Sequence, residues 1–150
     1  MTSTTARGWT EHTTRALADA GYRSSAAREA VIVAIAELGC SMTAREIADL
    51  LRERGSGVGL ASIYRALDLL DRLGLVQRFD VGEGVARYEA ALPGGDHHHH
   101  IVCESCGTVE PFEDEVLEDA IHGLSAKTDF AIAAHDVTLH GECPACRATA

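Results

Sequence analysis

Apolar residues recur at helical spacing through most of the first ninety positions. In SSAAREAVIVAIAELG, Val31, Ile32, Ile35 and Leu38 share a face, with Ser24 or Ser25 placed as N-cap and Gly39 as C-cap. TAREIADLLRERG repeats the pattern through Ile47, Leu50 and Leu51; Thr43 and Glu46 have capping-box spacing, and Gly55 ends the run. LASIYRALDLLDRLG places Ile63, Leu67 and Leu70 on one stripe, with Ala66 and Leu73 beside it. Ahead of these, TEHTTRALADAG predicts a short amphipathic helix stopped by Gly21. LVQRFDVGEGVARYEA then changes period: two β-prone runs around Gly82-Glu83-Gly84 predict a hairpin. Helix, helix, a short Gly-containing link, helix and hairpin is the order of a winged helix-turn-helix.

ALPGGD follows, with Pro93, Gly94 and Gly95 signalling a hinge. The expected organisation is a winged-helix domain over 1–91, a hinge over 92–96 and a second domain over 97–150. That second domain reads as α+β. HIVC and GTVEPF are short strands, and EDEVLEDAIHGLSAKT is a helix with acids in its first turn, where they favour the helix dipole. DFAIAAHDVTLHGEC reads as a long strand whose alternation breaks at His135 and Asp136, predicting a bulge.

Charge sharpens the division. The net charge of −10 is uneven: residues 1–90 hold 11 basic and 12 acidic side chains, residues 91–150 hold 2 and 11. All the basic residues of the first part are arginines, suited to bidentate phosphate and guanine contacts, although most of them balance local acids. The acidic second part repels nucleic acid and attracts cations. No apolar run reaches the roughly 20 residues that span a bilayer, and MTSTTARGWTEHTT has no signal-peptide core, so a cytoplasmic protein without a membrane partner is expected.

Four of the five cysteines form two Cys-x-x-Cys pairs, Cys103/Cys106 and Cys143/Cys146, separated by 36 residues. Each pair holds its sulfurs about 3.5–4 Å apart, half of a tetrahedral zinc site. The alternative, two redox pairs, needs helix N-termini to lower the thiol pKa, whereas both pairs here are expected to flank strands. A closed structural zinc site follows. Three positions ahead of Cys103 ends a run of four histidines, His97 to His100. In an extended chain His97 and His99 face one way and His98 and His100 the other, so one run can serve two metal sites. His135 and Glu118 are candidate partners on one side and Glu89 on the other. A ligand from each domain would let a metal fix the angle between them.

GLASIYRALDLLDRLGLV, HHHHIVCESCG, His135 and CPAC together closely resemble the ferric uptake regulator superfamily of iron-, zinc-, manganese-, nickel- and peroxide-sensing repressors, over about Gly21 to Arg147. The resemblance implies a winged-helix DNA-binding domain joined to an α/β dimerisation domain, binding promoter DNA as a metal-loaded homodimer and controlling zinc or iron uptake genes. It implies structural Zn2+ at Cys103, Cys106, Cys143 and Cys146. It implies an inter-domain sensory site at Glu89, His98 and His100 for a regulatory Zn2+ or Fe2+, with Mn2+ as an alternative. It implies a further site at His97, His99, Glu118 and His135, and DNA contacts from Arg23, Ser62, Tyr64 and Arg65.

The chain departs from the family in three places. RSSAAR at 23–28 replaces the usual Arg-x-Thr-Pro-Gln-Arg. GCSMT puts Cys40 or Ser41 where many members have a sensory His, and Cys40 is either a soft ligand or a buried thiol. Glu89 stands near the end of the wing, where zinc sensors often carry Cys.

Two rivals remain in the sequence. His140 and Glu142 beside Cys-Pro-Ala-Cys are reminiscent of zinc deaminases, but there the two motifs are far apart and the Pro precedes the first Cys. No other enzyme motif is present, so no catalytic residue and no small-molecule substrate is expected. A metal buffer without DNA binding has no use for Tyr64 and Arg65 on one helix face.

Overall fold

The computed structural model describes residues 3–38, 41–81, 84–91, 98–133 and 135–148, with side chains from residue 6 onward. The chain forms two compact units, Met1–Asp96 and His97–Ala150. The positions 92–96 read as a hinge, and Cys40, lie outside the described residues.

The first unit contains α1 (Ser3–Asp19), α2 (Ala26–Leu38), β1 (Met42–Thr43), α3 (Ala44–Glu53), α4 (Leu60–Arg72), β2 (Val76–Asp80) and β3 (Ala86–Ala90). Its sheet runs β1-β3-β2, antiparallel throughout, with Val76 opposite Ala90 and Met42 opposite Tyr88. The stripes read from the sequence form the core: Val31, Ile35, Ile47, Ile63, Leu67 and Leu70 are at most 1% exposed. Burying each such side chain contributes about 1.5–3 kcal/mol. The stripes fray at the helix ends, where Leu38 and Leu73 are exposed. The capping box is formed: Glu46 N–H donates to Thr43 Oγ1 at 3.1 Å and Thr43 N–H to the Glu46 carboxylate at 2.6 Å.

α1 begins seven residues before the expected start at Thr10. The tertiary reason is Trp9, which is 1% exposed and donates its indole N–H to the Leu75 carbonyl at 2.9 Å. Trp9, Thr13 and Leu17 form one buried stripe along the helix.

The second unit contains β4 (His99–Cys103), β5 (Val109–Phe112), α5 (Glu115–Thr128), β6 (Thr138–Gly141) and α6 (Pro144–Arg147). β4 is central, antiparallel to β5 and parallel to β6. Asp114 caps α5 by accepting from Leu117 N–H at 2.8 Å, and Asp129 ends it in the left-handed conformation. The long bulged strand expected over 129–143 is corrected: among the described residues only Thr138–Gly141 is strand, and residues 130–133 and 135–137 are irregular, Ala134 lying outside the described residues. The limit is the partner. β4 pairs with β6 from His100 to Cys103, and among the described residues nothing pairs with 130–133.

Burial in this unit is slight. α5 buries no side chain completely, while Val116, Leu124, Phe130 and Ile132 are exposed, as are Ile101 and Leu139 on the strands. So small a core needs a staple or a covering surface.

Candidate functional site

β4 delivers Cys103 at its end. The chain reverses there, with Gly107 N–H donating to the Cys103 carbonyl and Cys103 N–H to the Thr108 carbonyl, both at 2.8 Å. Gly107 has φ +73°, a conformation that favours a residue without Cβ, and the turn lets β5 return with Cys106 projecting beside Cys103. The other pair flanks β6, as expected, with Glu142 between Gly141 and Cys143, but it also sits at the start of a helical turn. Cys143 is the N-cap of the one-turn helix α6, with Pro144 at its first position, and its sulfur accepts from Cys146 N–H at 3.4 Å. Cys143 N–H in turn donates to Cys103 Sγ at 3.3 Å.

All four sulfurs lie within 4.8 Å of one another, and Cys106 and Cys143 are 3.8 Å apart. A tetrahedron with bonds of about 2.3 Å has edges of about 3.8 Å. None of the four is in a disulfide. The amide donors stabilise negative charge: the Cys143 and Cys106 backbone N–H groups bring Cys103 down to about 6, and Thr108 lowers Cys106 through its hydroxyl and amide. Cys146 is pushed up to about 12, chiefly by Cys143 and then Cys106. Such a set holds negative charge on some sulfurs and a displaceable proton on another, which fits a soft divalent cation.

A second group gathers on one side of β4. His99 is 1% exposed, and its Nε2 stands 2.7 Å from Glu118 Oε1, one turn into α5. His135 Nε2 is 3.1 Å from Glu118 Oε2. The three donor atoms lie within 4.8 Å of one another. Val137 N–H donates to His99 Nδ1 at 3.3 Å, which assigns the ring proton to Nε2, facing the carboxylate. A cation at Nε2 takes that proton's place, and the nitrogen and carboxylate donors fit a borderline or hard ion. His97, expected to join this group, lies outside the described residues.

His98 and His100 turn away from His99 and meet each other edge to face, centroids 5.1 Å apart. His100 is 5% exposed. Glu89, also 5% exposed, belongs to the first unit, near the end of β3.

One nearby residue escaped the sequence reading. His122 follows Glu118 by one helical turn, its Nδ1 is 2.8 Å from the Glu118 carbonyl and its ring meets His135 edge to face at 6.2 Å. Its i,i+4 spacing from a candidate acid was the available signal.

The residues expected to meet DNA lie on the surface of the first unit. Tyr64 and Arg65 are exposed on α4, and Arg65 Nη2 donates to Ser62 Oγ at 2.9 Å, fixing the guanidinium along the helix. An open cleft of about 700 Å³ separates this face from the hairpin, lined by Tyr64, Asp68, Arg45, Arg78 and Tyr88. Arg23 lies between α1 and α2, where its carbonyl accepts from Arg28 Nη1 at 2.8 Å and Arg28 sits 5.8 Å over the Tyr22 ring.

The profile of the Ferric uptake regulator family matches residues 19–140. The chain is similar to the ferric uptake regulation protein of Bacillus subtilis (strain 168), 35% identical over 132 residues, 87% of this chain and 89% of that one. The ferric uptake regulator structure of Vibrio cholerae superposes with TM-score 0.75 at 32% identity, over 86% of this chain and 98% of that one. A zinc uptake regulator complexed with zinc and DNA aligns with TM-score 0.60 at 27% identity, over 97% of both chains.

Proposed function

This chain belongs to the ferric uptake regulator family of metal-responsive regulators, and we propose that it is a DNA-binding repressor of metal-uptake genes that acts as a homodimer when loaded with Zn2+ or Fe2+. The observation that carries this reading is that β4 serves two unlike donor sets. Cys103 joins a group of four sulfurs, and His99 joins a carboxylate and a second imidazole. A closed four-sulfur set leaves no position for substrate and suits a structural ion, whereas nitrogen and carboxylate donors suit an ion that exchanges.

In this reading zinc at the four cysteines supplies folding free energy to a unit with little core of its own. The exposed Val116, Leu124, Phe130 and Ile132 are the surface that a second copy covers. Glu89, His98 and His100 form the regulatory site that joins the two domains, and His97, His99, Glu118 and His135 the second site of the dimerisation domain. Tyr64 and Arg65 enter the major groove, Ser62 holds Arg65, and Arg23 meets the adjacent backbone. What supports the DNA reading is the exposure of Tyr64 and Arg65 on the second helix of a helix-turn-helix, a position with no core role. The family's members are regulators rather than enzymes.

The test is selection from a random duplex library by the full chain at buffered free Zn2+, Fe2+ and Mn2+. Enrichment of one palindromic sequence in a metal-dependent manner is the expected result, and the effective ion names the signal. Metal retention without enrichment would make the protein a metal buffer.

A further inference from the structure

β3 carries Arg87 and Glu89 on one face, since alternate residues of a strand point the same way. The Arg87 side chain is 16% exposed. Its Nε donates to Ser41 Oγ at 3.2 Å, and its Nη2 donates to the Ser41 carbonyl at 2.9 Å and lies 3.2 Å from Glu46 Oε2. Glu46 is also the third residue of α3, and the same carboxylate closes the capping box with Thr43. One guanidinium thus ties together β3, the residue that enters β1 and the first turn of α3. That helix packs on α4, with Ile47 and Leu51 of α3 and Ile63 and Leu67 of α4 buried in one apolar core, and α4 exposes Tyr64 and Arg65. A continuous path of hydrogen bonds and packed side chains runs from the strand of Glu89 to the recognition helix, wholly within the first unit.

We propose that Arg87 is a positioning residue that couples the regulatory metal to DNA binding, transmitting the placement of Glu89 to the start of α3 and thence to α4. The proposal rests on the reading of Glu89 as a regulatory ligand. Arginine suits the task because its planar fork serves Ser41 and Glu46 at once, which a lysine ammonium does not. The contact was invisible in the sequence, where Arg87 stands 46 and 41 residues from its partners.

The experiment measures a coupling free energy in the full chain with its cysteine zinc retained. The affinity of a duplex selected by the unaltered protein is determined with and without buffered Zn2+, and in parallel Mn2+; the affinity of each ion is determined with and without the duplex. Coupling between two ligands typically amounts to about 5–150-fold and is equal in both directions. In Arg87→Met the ratio is expected to fall toward one in both directions, while the ion binds the DNA-free protein as tightly as before. Arg87→Lys is expected to retain part of the ratio. A residue that merely stabilised the domain would weaken duplex binding equally with and without metal, and that result overturns the proposal. Should Arg87→Met lower the melting temperature enough to obscure binding, Ser41→Ala and Glu46→Gln each cut one arm; an undiminished ratio in both equally overturns it. Glu89→Ala separates the two levels. Undiminished coupling there refutes the ligand reading and this proposal together, whereas coupling lost in Glu89→Ala but kept in Arg87→Met refutes the role of Arg87 alone.

Discussion

Trp9 and Leu75 are 66 residues apart and joined by a buried hydrogen bond, indole N–H to carbonyl, at 2.9 Å. The Leu75 carbonyl also accepts from Ala91 N–H at 3.1 Å, so α1, the first strand of the hairpin and the residue that leaves it meet at one oxygen. The N-terminal helix is therefore part of the winged domain and fastens the base of its wing.

Removing that donor has a measurable effect. Trp9→Phe keeps an aromatic ring but loses the bond and part of the packing, so the first unit should be destabilised by about 1–3 kcal/mol. Urea unfolding followed by circular dichroism gives the value, and the zinc content should not change. Unaltered stability would mean that α1 is not integral to the domain.

The two units should respond differently to chelation. Trp9 is the chain's one tryptophan and lies in the first unit, so its fluorescence reports that unit alone. Cys103→Ser, or stripping zinc with a strong chelator, is expected to unfold the second unit while Trp9 emission stays native. Simultaneous loss of both signals would contradict a structural role confined to the second unit.

Zinc loading should release protons. Cys103 is held at about 6 by its amide donors, below its ordinary 9.0, so the stabilisation of its thiolate is present above that value and lost as pH falls through about 6. Cys146, raised to about 12, keeps a proton that zinc must displace at neutral pH. Apparent zinc affinity should therefore rise with pH and fall off more steeply below about 6. Calorimetry in buffers of different ionisation enthalpy counts the protons, and a pH-independent affinity between 6 and 8 would contradict the assignment.

Glu118 accepts from His99 and His135 together. Glu118→Gln keeps the shape and removes the charge, and it should weaken ion binding at that group by at least about tenfold. Elemental analysis after dialysis against buffered Zn2+ is expected to show one ion fewer per chain, with the cysteine zinc retained.

Arg65 is expected to contact phosphate or base edges. Arg65→Ala should reduce duplex affinity and, if the contact is to phosphate, lower the slope of log affinity against log salt by about one. Anisotropy titrations across a salt series read both quantities.

Local order was legible in the residues themselves. The Thr43–Glu46 capping box, the stripes of α2, α3 and α4 and the hairpin each depend on positions within a few residues, so spacing and residue type determine them. The two Cys-x-x-Cys pairs and the histidine run were equally visible, because metal ligation demands particular side chains. What only the tertiary structure decided involves partners distant in the chain. Trp9 extends α1 because Leu75 receives its N–H. The expected long strand shrinks to Thr138–Gly141 because β4 offers pairing no further. Cys143, just beyond β6, also caps a helical turn, and Arg87 finds Ser41 and Glu46 across the fold. A sequence specifies local backbone preference and chemical type; which distant donor meets which acceptor is set by packing, and packing exists only once the chain has folded.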